Sequence, residues 1–179
     1  MKISIRKIIG RALGFQAQID SLTEKLQELS WDKVFGMWTR TAFLQFCRIM
    51  PRGHRTVVFI DLDRIHSLNH ELGYTEVDRR VKATFSIPLR SSDIVARWYS
   101  GDEIVILFDN DHESALAKVQ ALTASAAHQG LTFSFEVGTW EVGVQDIVEV
   151  IGGLSAANRM KQAAAEAGGA AGREKRGGR

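Results

Sequence analysis

"IVARWYSGDEIVILF", residues 94–108, decides the fold. Two apolar, β-rich runs, 94–98 and 104–108, flank Tyr99, Ser100, Gly101, Asp102 and Glu103, so the stretch reads as a hairpin with two adjacent acids at its tip. About forty residues earlier, "TVVFIDLD" (56–63) reads as a buried strand that ends in acids, with Asp61 where the chain leaves the sheet. If the two strands are neighbours, Asp61 and Asp102 reach one point at the sheet edge. Hard oxygen ligands there suit magnesium, which keeps several waters and binds through one or two carboxylates plus substrate phosphates. Spacing alone favours the simpler account, in which Asp102 stabilises a Gly-Asp turn and Asp61 ends a strand.

Working outward, helical spacing runs through Ile65, Leu68 and Leu72, is interrupted at Gly73, and resumes through Val77 and Val81 to about Phe85. A helix is expected from Arg40 to Met50, before Pro51. Another covers 112–128, capped by Asp111, and a third covers most of 144–164; "LTFSFEVGTW" (131–140) is a strand. Strands mixed with helices, and a hairpin between central strands, imply an α/β or α+β sheet domain with helices on its faces. Towards the N-terminus, Ile19, Leu22, Leu26 and Leu29 step by the a/d alternation of a coiled-coil seam. That seam serves either pairing with a second chain or packing on its own domain.

With 179 residues, 45% of them hydrophobic, the chain suits one domain of ordinary size with extensions. We divide it into an N-terminal amphipathic helix (1–30), a domain (31–168) and a disordered basic tail (169–179). The tail alone carries +3 against a whole-chain net charge of +2, since Arg173, Lys175, Arg176 and Arg179 face only Glu174; the rest is nearly neutral and makes no case for a nucleic-acid partner. Lone Cys47, in an apolar helical run, reads as a buried small hydrophobe and fits a reducing cytoplasm. No apolar run reaches the roughly 18 residues of a spanning helix. Residues 1–15 are basic and amphipathic, and membrane-surface contact is the lesser reading of them.

Three stretches together resemble the GGDEF domain of diguanylate cyclases: "SGDEI" behind a strand with Arg97; "DLDRIHSLNHELGYTEVD" (61–78), with Asp61, Asp63, Asn69, Gly73 and Asp78 in register; and "DKVFGMWTRTAF" (32–43), with Asp32, Gly36, Arg40 and Phe43. The resemblance implies a nucleotide-cyclase-like fold with a central, mostly antiparallel sheet flanked by helices and preceded by an N-terminal helix. It implies condensation of two GTP into cyclic di-GMP across a homodimer, with Mg2+ or Mn2+ held by Asp61, Asp102 and the Leu62 carbonyl. Asp102 and Glu103 become the catalytic acids. Asn69 and Asp78 would read guanine, Ser100 and Gly101 would let the backbone approach the nucleotide, and His66 and Lys161 would meet phosphate. Arg90 and Asp93 fit the family's R-x-x-D inhibitory site for cyclic product. Nine residues of continuous helix turn about 900°, so Asn69 and Asp78 can share a pocket only if the helix breaks between them, which Gly73 permits.

The pattern is broken in places. His66 replaces a Lys, His70 an Asp, Tyr74 a His and Val77 a Gly; Ala165 stands where an Arg is expected, and one extra residue, assigned to Tyr99, precedes the signature. The competing readings are therefore a catalytically weak or inactive module that binds GTP or cyclic di-GMP and signals through its coiled coil, and a purely structural dimerisation domain.

Overall fold

A computed structural model describes residues 5–90, 92–99, 101–109 and 111–174, with side chains between 14 and 165 apart from Gln27. Ser100, residues 1–4 and residues 175–179 lie outside the described residues, as do the side chains on which membrane contact of residues 1–15 would chiefly depend.

Helix α1 (Ile5–Ser30) leads into two short strands, β1 (Trp31–Asp32) and β2 (Met37–Trp38), and helix α2 (Arg40–Ile49). Strand β3 (Gly53–Leu62) is followed by α3 (Ile65–Leu72), α4 (Tyr74–Phe85), β4 (Ile94–Arg97), β5 (Glu103–Phe108), α5 (His112–His128), β6 (Phe133–Val142) and α6 (Ile147–Glu174). The six strands form one sheet in the order β1-β2-β4-β5-β3-β6. All pairs are antiparallel except β2 with β4, where Trp38 lies beside Ala96.

The expected mostly antiparallel sheet with flanking helices is what the chain forms. Helix α5 is bounded as its pattern predicts, with the Ser114 N–H donating to Asp111 Oδ1 at 2.8 Å. The two-residue strands β1 and β2 were not foreseen, and α6 runs to Glu174, into the segment read as tail. No helix among the described residues is long and apolar enough to cross a membrane.

Strand side chains alternate between faces, so β3 and β5 build two cores. Val58, Ile60, Ile104 and Ile106 pack under α4 and α5 with Val81, Val119 and Leu122. Val57, Phe59, Val105 and Leu107 pack with Phe43 and Cys47 of α2 and Ile151 of α6. Burial pushes the Cys47 thiol up to about 12, where the nucleophilic thiolate is scarce. A thiol reagent at pH 8 is expected to label Cys47 only after denaturant is added; prompt labelling of the folded protein would contradict this burial.

Helix α1 meets the domain at its C-terminal end, where the Thr39 N–H donates to the Ser30 carbonyl and the Thr39 hydroxyl to the Leu29 carbonyl, each at 2.9 Å. Its predicted seam is open: Ile19, Leu22, Leu26 and Leu29 are 54–72% exposed, so packing on the chain's own domain, one of the two readings of that stripe, does not occur.

Gly73 breaks the helix as its place in the pattern requires, with φ +83° between α3 and α4. A Cβ there would meet no heavy atom within 4 Å, so the cost of Gly73→Ala is purely backbone strain, about 1–3 kcal/mol. Urea unfolding should show that loss; an unchanged midpoint would contradict the left-handed geometry.

Candidate functional site

The antiparallel register of β3 and β5 sets Asp61 directly opposite Glu103. Opposed residues share a face, and by alternation it is the face of Val57 and Phe59, beneath α6. The Leu62 N–H donates to the Asp102 carbonyl at 2.9 Å and the Trp98 N–H to the Glu103 carbonyl at 2.8 Å, which closes the hairpin and brings Asp102 to the end of β3. Asp61, Asp102, Glu103 and the Leu62 peptide thus meet at one sheet edge, as the spacing predicts for neighbouring strands. Just beyond, Arg64 takes a left-handed φ of 57° and turns the chain into α3.

Burial raises the pKa of Asp61, and the negative charges of Asp102 and Asp63 raise it further, against a hydrogen bond from Gln162 and the charge of Arg159. Glu103 is raised by burial and then by Asp61 and Asp102, again opposed by Arg159. Carboxylates that repel one another at a sheet edge fit a divalent cation. Among the described residues no group of three or more His, Cys, Asp or Glu side chains could by itself hold a metal ion. An open site with one or two carboxylates and phosphates for the remaining positions suits Mg2+.

On the other side of the hairpin tip lies a cavity of about 360 Å³. His66 and Asn69 from α3, Asp78 from α4, and Gly101 and Asp102 from the hairpin all line it, over Phe35 and Val81. The break at Gly73 therefore does bring Asn69 and Asp78 to one cavity. Asn69 Oδ1 is buried with no hydrogen-bond partner among the described residues. Gly101 is confined, since a Cβ there would lie 3.3 Å from Arg97 Nη2.

Lys161 is placed differently. Its Nζ lies 2.5 Å from Glu136 Oε1, and Glu136 sits opposite Phe59, two residues back along the strand from the Asp61 end. Arg90 and Asp93 form a closed turn, with the Arg90 N–H donating to Asp93 Oδ2 at 2.9 Å and the Asp93 N–H to the Arg90 carbonyl at 3.0 Å. The turn precedes β4, so the length of that strand, about 13 Å, separates it from the hairpin tip.

Sequence reasoning missed the support behind the acids. Gln162 Nε2 donates to Ser134 Oγ at 2.7 Å and, at 3.5 Å, to Asp61 Oδ2, while Asn158 Nδ2 donates to the same Ser134 Oγ at 2.7 Å. The signal available was a pair of amides four residues apart in an otherwise Ala-rich helix. Also missed was the pairing of Arg97 Nη1 with Asp32 Oδ2 at 2.9 Å, which ties the hairpin to β1. Burial alone would raise Asp32, but the bonds from Arg97 and from the Phe35 and Val34 N–H groups hold its pKa below the usual value.

The sequence model of the family described as "Diguanylate cyclase, GGDEF domain" matches residues 32–178. A curated relative, the cyclic di-GMP phosphodiesterase NbdA of Pseudomonas aeruginosa, is 33% identical over 143 residues; the match takes in 71% of this chain but only 18% of NbdA. Among solved structures, the coiled coil and GGDEF domain of DgcB from Caulobacter crescentus, in complex with c-di-GMP, superposes with TM-score 0.69 at 15% identity, over 88% of this chain and 95% of that one. Diguanylate cyclase SiaD from Pseudomonas aeruginosa, in complex with its activator SiaC, gives TM-score 0.65 at 21% identity, over 89% and 68%. At these identities the superpositions speak for the fold alone. With the hairpin, the broken helix and the acid edge in place, the match over residues 32–178 means that the chain belongs to the GGDEF domain family.

Proposed function

We propose that this chain is a diguanylate cyclase module that condenses two GTP into cyclic di-GMP across a homodimer. The observation that carries this reading is the position of Asp102, which belongs both to the acid edge with Asp61 and Glu103 and to the cavity lined by Asn69 and Asp78. A nucleotide with its base in that cavity has its phosphates at the acids.

Asp78 accepts from guanine N1–H and the 2-amino group, and Asn69 orients the base. Asp61 and Asp102, with the Leu62 carbonyl, would hold Mg2+, which when bound neutralises phosphate charge and orients an in-line displacement. Glu103, whose pKa is raised by burial and by Asp61 and Asp102, takes the proton from the 3'-hydroxyl as general base. The 3'-oxygen forms a bond to the α-phosphorus of the facing GTP as the bond to pyrophosphate breaks; two such transfers give the cyclic product and two pyrophosphates. Each subunit supplies half of the reacting pair, and the open seam of α1 is the surface on which a second copy docks. Arg90 and Asp93 form the site where product returns to inhibit.

Incubation of the purified protein with GTP and Mg2+ at a concentration that favours dimers should yield cyclic di-GMP. GTP binding without product would instead establish the second reading, a binding module. That reading draws on the pairing of Lys161 with Glu136 and on Ala165, which leave fewer basic partners for phosphate. No product, together with no binding of either GTP or cyclic di-GMP, would overturn both.

A further inference from the structure

Where α1 joins the domain, two tryptophans face each other across the β1–β2 pair. Trp31 and Trp38 are register partners whose rings are 5.9 Å apart at an interplanar angle of 78°. They stay 43% and 36% exposed, while Trp98 and Trp140 are buried. Between this pair and the last turns of α1 lies a cavity of about 480 Å³, walled by Glu24, Glu28, Ser30 and Lys33. It is distinct from the acid edge and from the cavity of Asn69 and Asp78.

A second copy paired through the seam does not fill it. At about 100° per residue, Ile19, Leu22, Leu26 and Leu29 fall within about 80° of one another, and Glu24 and Glu28 lie about 160° from their centre. The glutamates are on the back of the helix, so a coiled-coil partner leaves the cavity open.

Charge and ring chemistry define what fits. Lys33 Nζ pairs with Glu28 Oε1 at 3.0 Å, but both side chains are largely exposed and the pair is weak. Glu24 makes no ion pair among the described residues, so the wall carries a net negative charge beside two partly exposed indoles. Indole is the best ring for a cation, and a guanidinium can stack on it while its fork of N–H groups reaches a carboxylate.

We infer that this junction is a docking site for an arginine side chain of a partner protein, with the guanidinium against Trp31 and Trp38 and its N–H groups on Glu24 and Glu28. Such a partner bridges α1 and the strand that holds the signature hairpin, because Trp38 lies beside Ala96 in β4 and Asp32, next to Trp31, grips Arg97.

The test is a titration of the full chain with acetyl-Gly-Arg-Gly-amide, read from the four tryptophan indole N–H resonances, with the citrulline peptide as a neutral isostere. Saturable shifts confined to Trp31 and Trp38 are expected, with affinity at least about fivefold weaker for the citrulline peptide or for the exposed Glu24→Gln/Glu28→Gln variant. Equal response to citrulline, equal movement of the buried Trp98 and Trp140, or no shift up to about 20 mM peptide would overturn the inference. The readout needs no turnover, so it stands apart from the cyclase reading.

Discussion

Asp61→Asn should abolish cyclic di-GMP formation, a fall of at least about a thousandfold or roughly 4 kcal/mol in the barrier, while raising the melting temperature of the nucleotide-free protein at pH 8. The loss follows from removing one of the two carboxylates proposed to hold Mg2+. The gain follows from the burial of this carboxylate and from the negative charges around it. Asp61 and Glu103 both titrate above their ordinary values, so between the unfolded and the folded pKa the folded chain binds more protons than the unfolded one. Stability then falls as pH rises through that window, and above it the folded state carries the full repulsion. Asparagine keeps the shape and removes one of the repelling charges. The difference in melting temperature between variant and parent should therefore shrink as pH is lowered from 8 towards the carboxylate range. Asp32 has the opposite sign, contributing stability above its ordinary value that is lost as pH falls through its depressed one, and it cancels in this comparison. Retained turnover would refute the metal role, and a variant that melts below its parent at pH 8 would refute the crowding.

Phe59→Ala should cost about 3–5 kcal/mol, a large share of the roughly 5–15 kcal/mol that holds a domain of this size together. Phe59 is 1% exposed in β3, between Val105 of β5 and Glu136 of β6, and belongs to the core that α2 and α6 cover. Truncation leaves a void that a strand hydrogen-bonded on both sides cannot collapse to fill. Urea denaturation measures the loss directly; a change below about 1 kcal/mol would mean that the α6 face is not packed as described.

Local chemistry made much of this legible. The cap at Asp111, the interruption at Gly73 and the apolar runs on either side of the tip at 99–103 each act within a few residues, and each has its expected form. What could not be read depends on contacts between distant segments. A two-residue strand such as β2 has no periodicity; it exists because Trp38 finds Ala96, nearly sixty residues on. The pairing of Lys161 with Glu136 had no local signal either, because that glutamate is offered by β6. The role of Asn158 and Gln162 depends on the hydroxyl they share, Ser134, which sits on β6 and not on their own helix. For Asp61 and Asp102 the sequence left a condition, that their strands be neighbours, and the register of β3 with β5 meets it.

The hydrogen bond between Gln162 and Asp61 joins residues 101 apart in the chain. The acid edge is therefore assembled in stages as the polypeptide is made. Asp61 can meet Glu103 once the hairpin exists, Ser134 joins when β6 is added, and the amide that shields the cluster arrives last. A nascent chain passes through a state in which the like charges are already together and their cover is not. Any fragment that stops short of α6 is held in that state permanently, which makes the C-terminal helix the wrong place to trim this protein for expression.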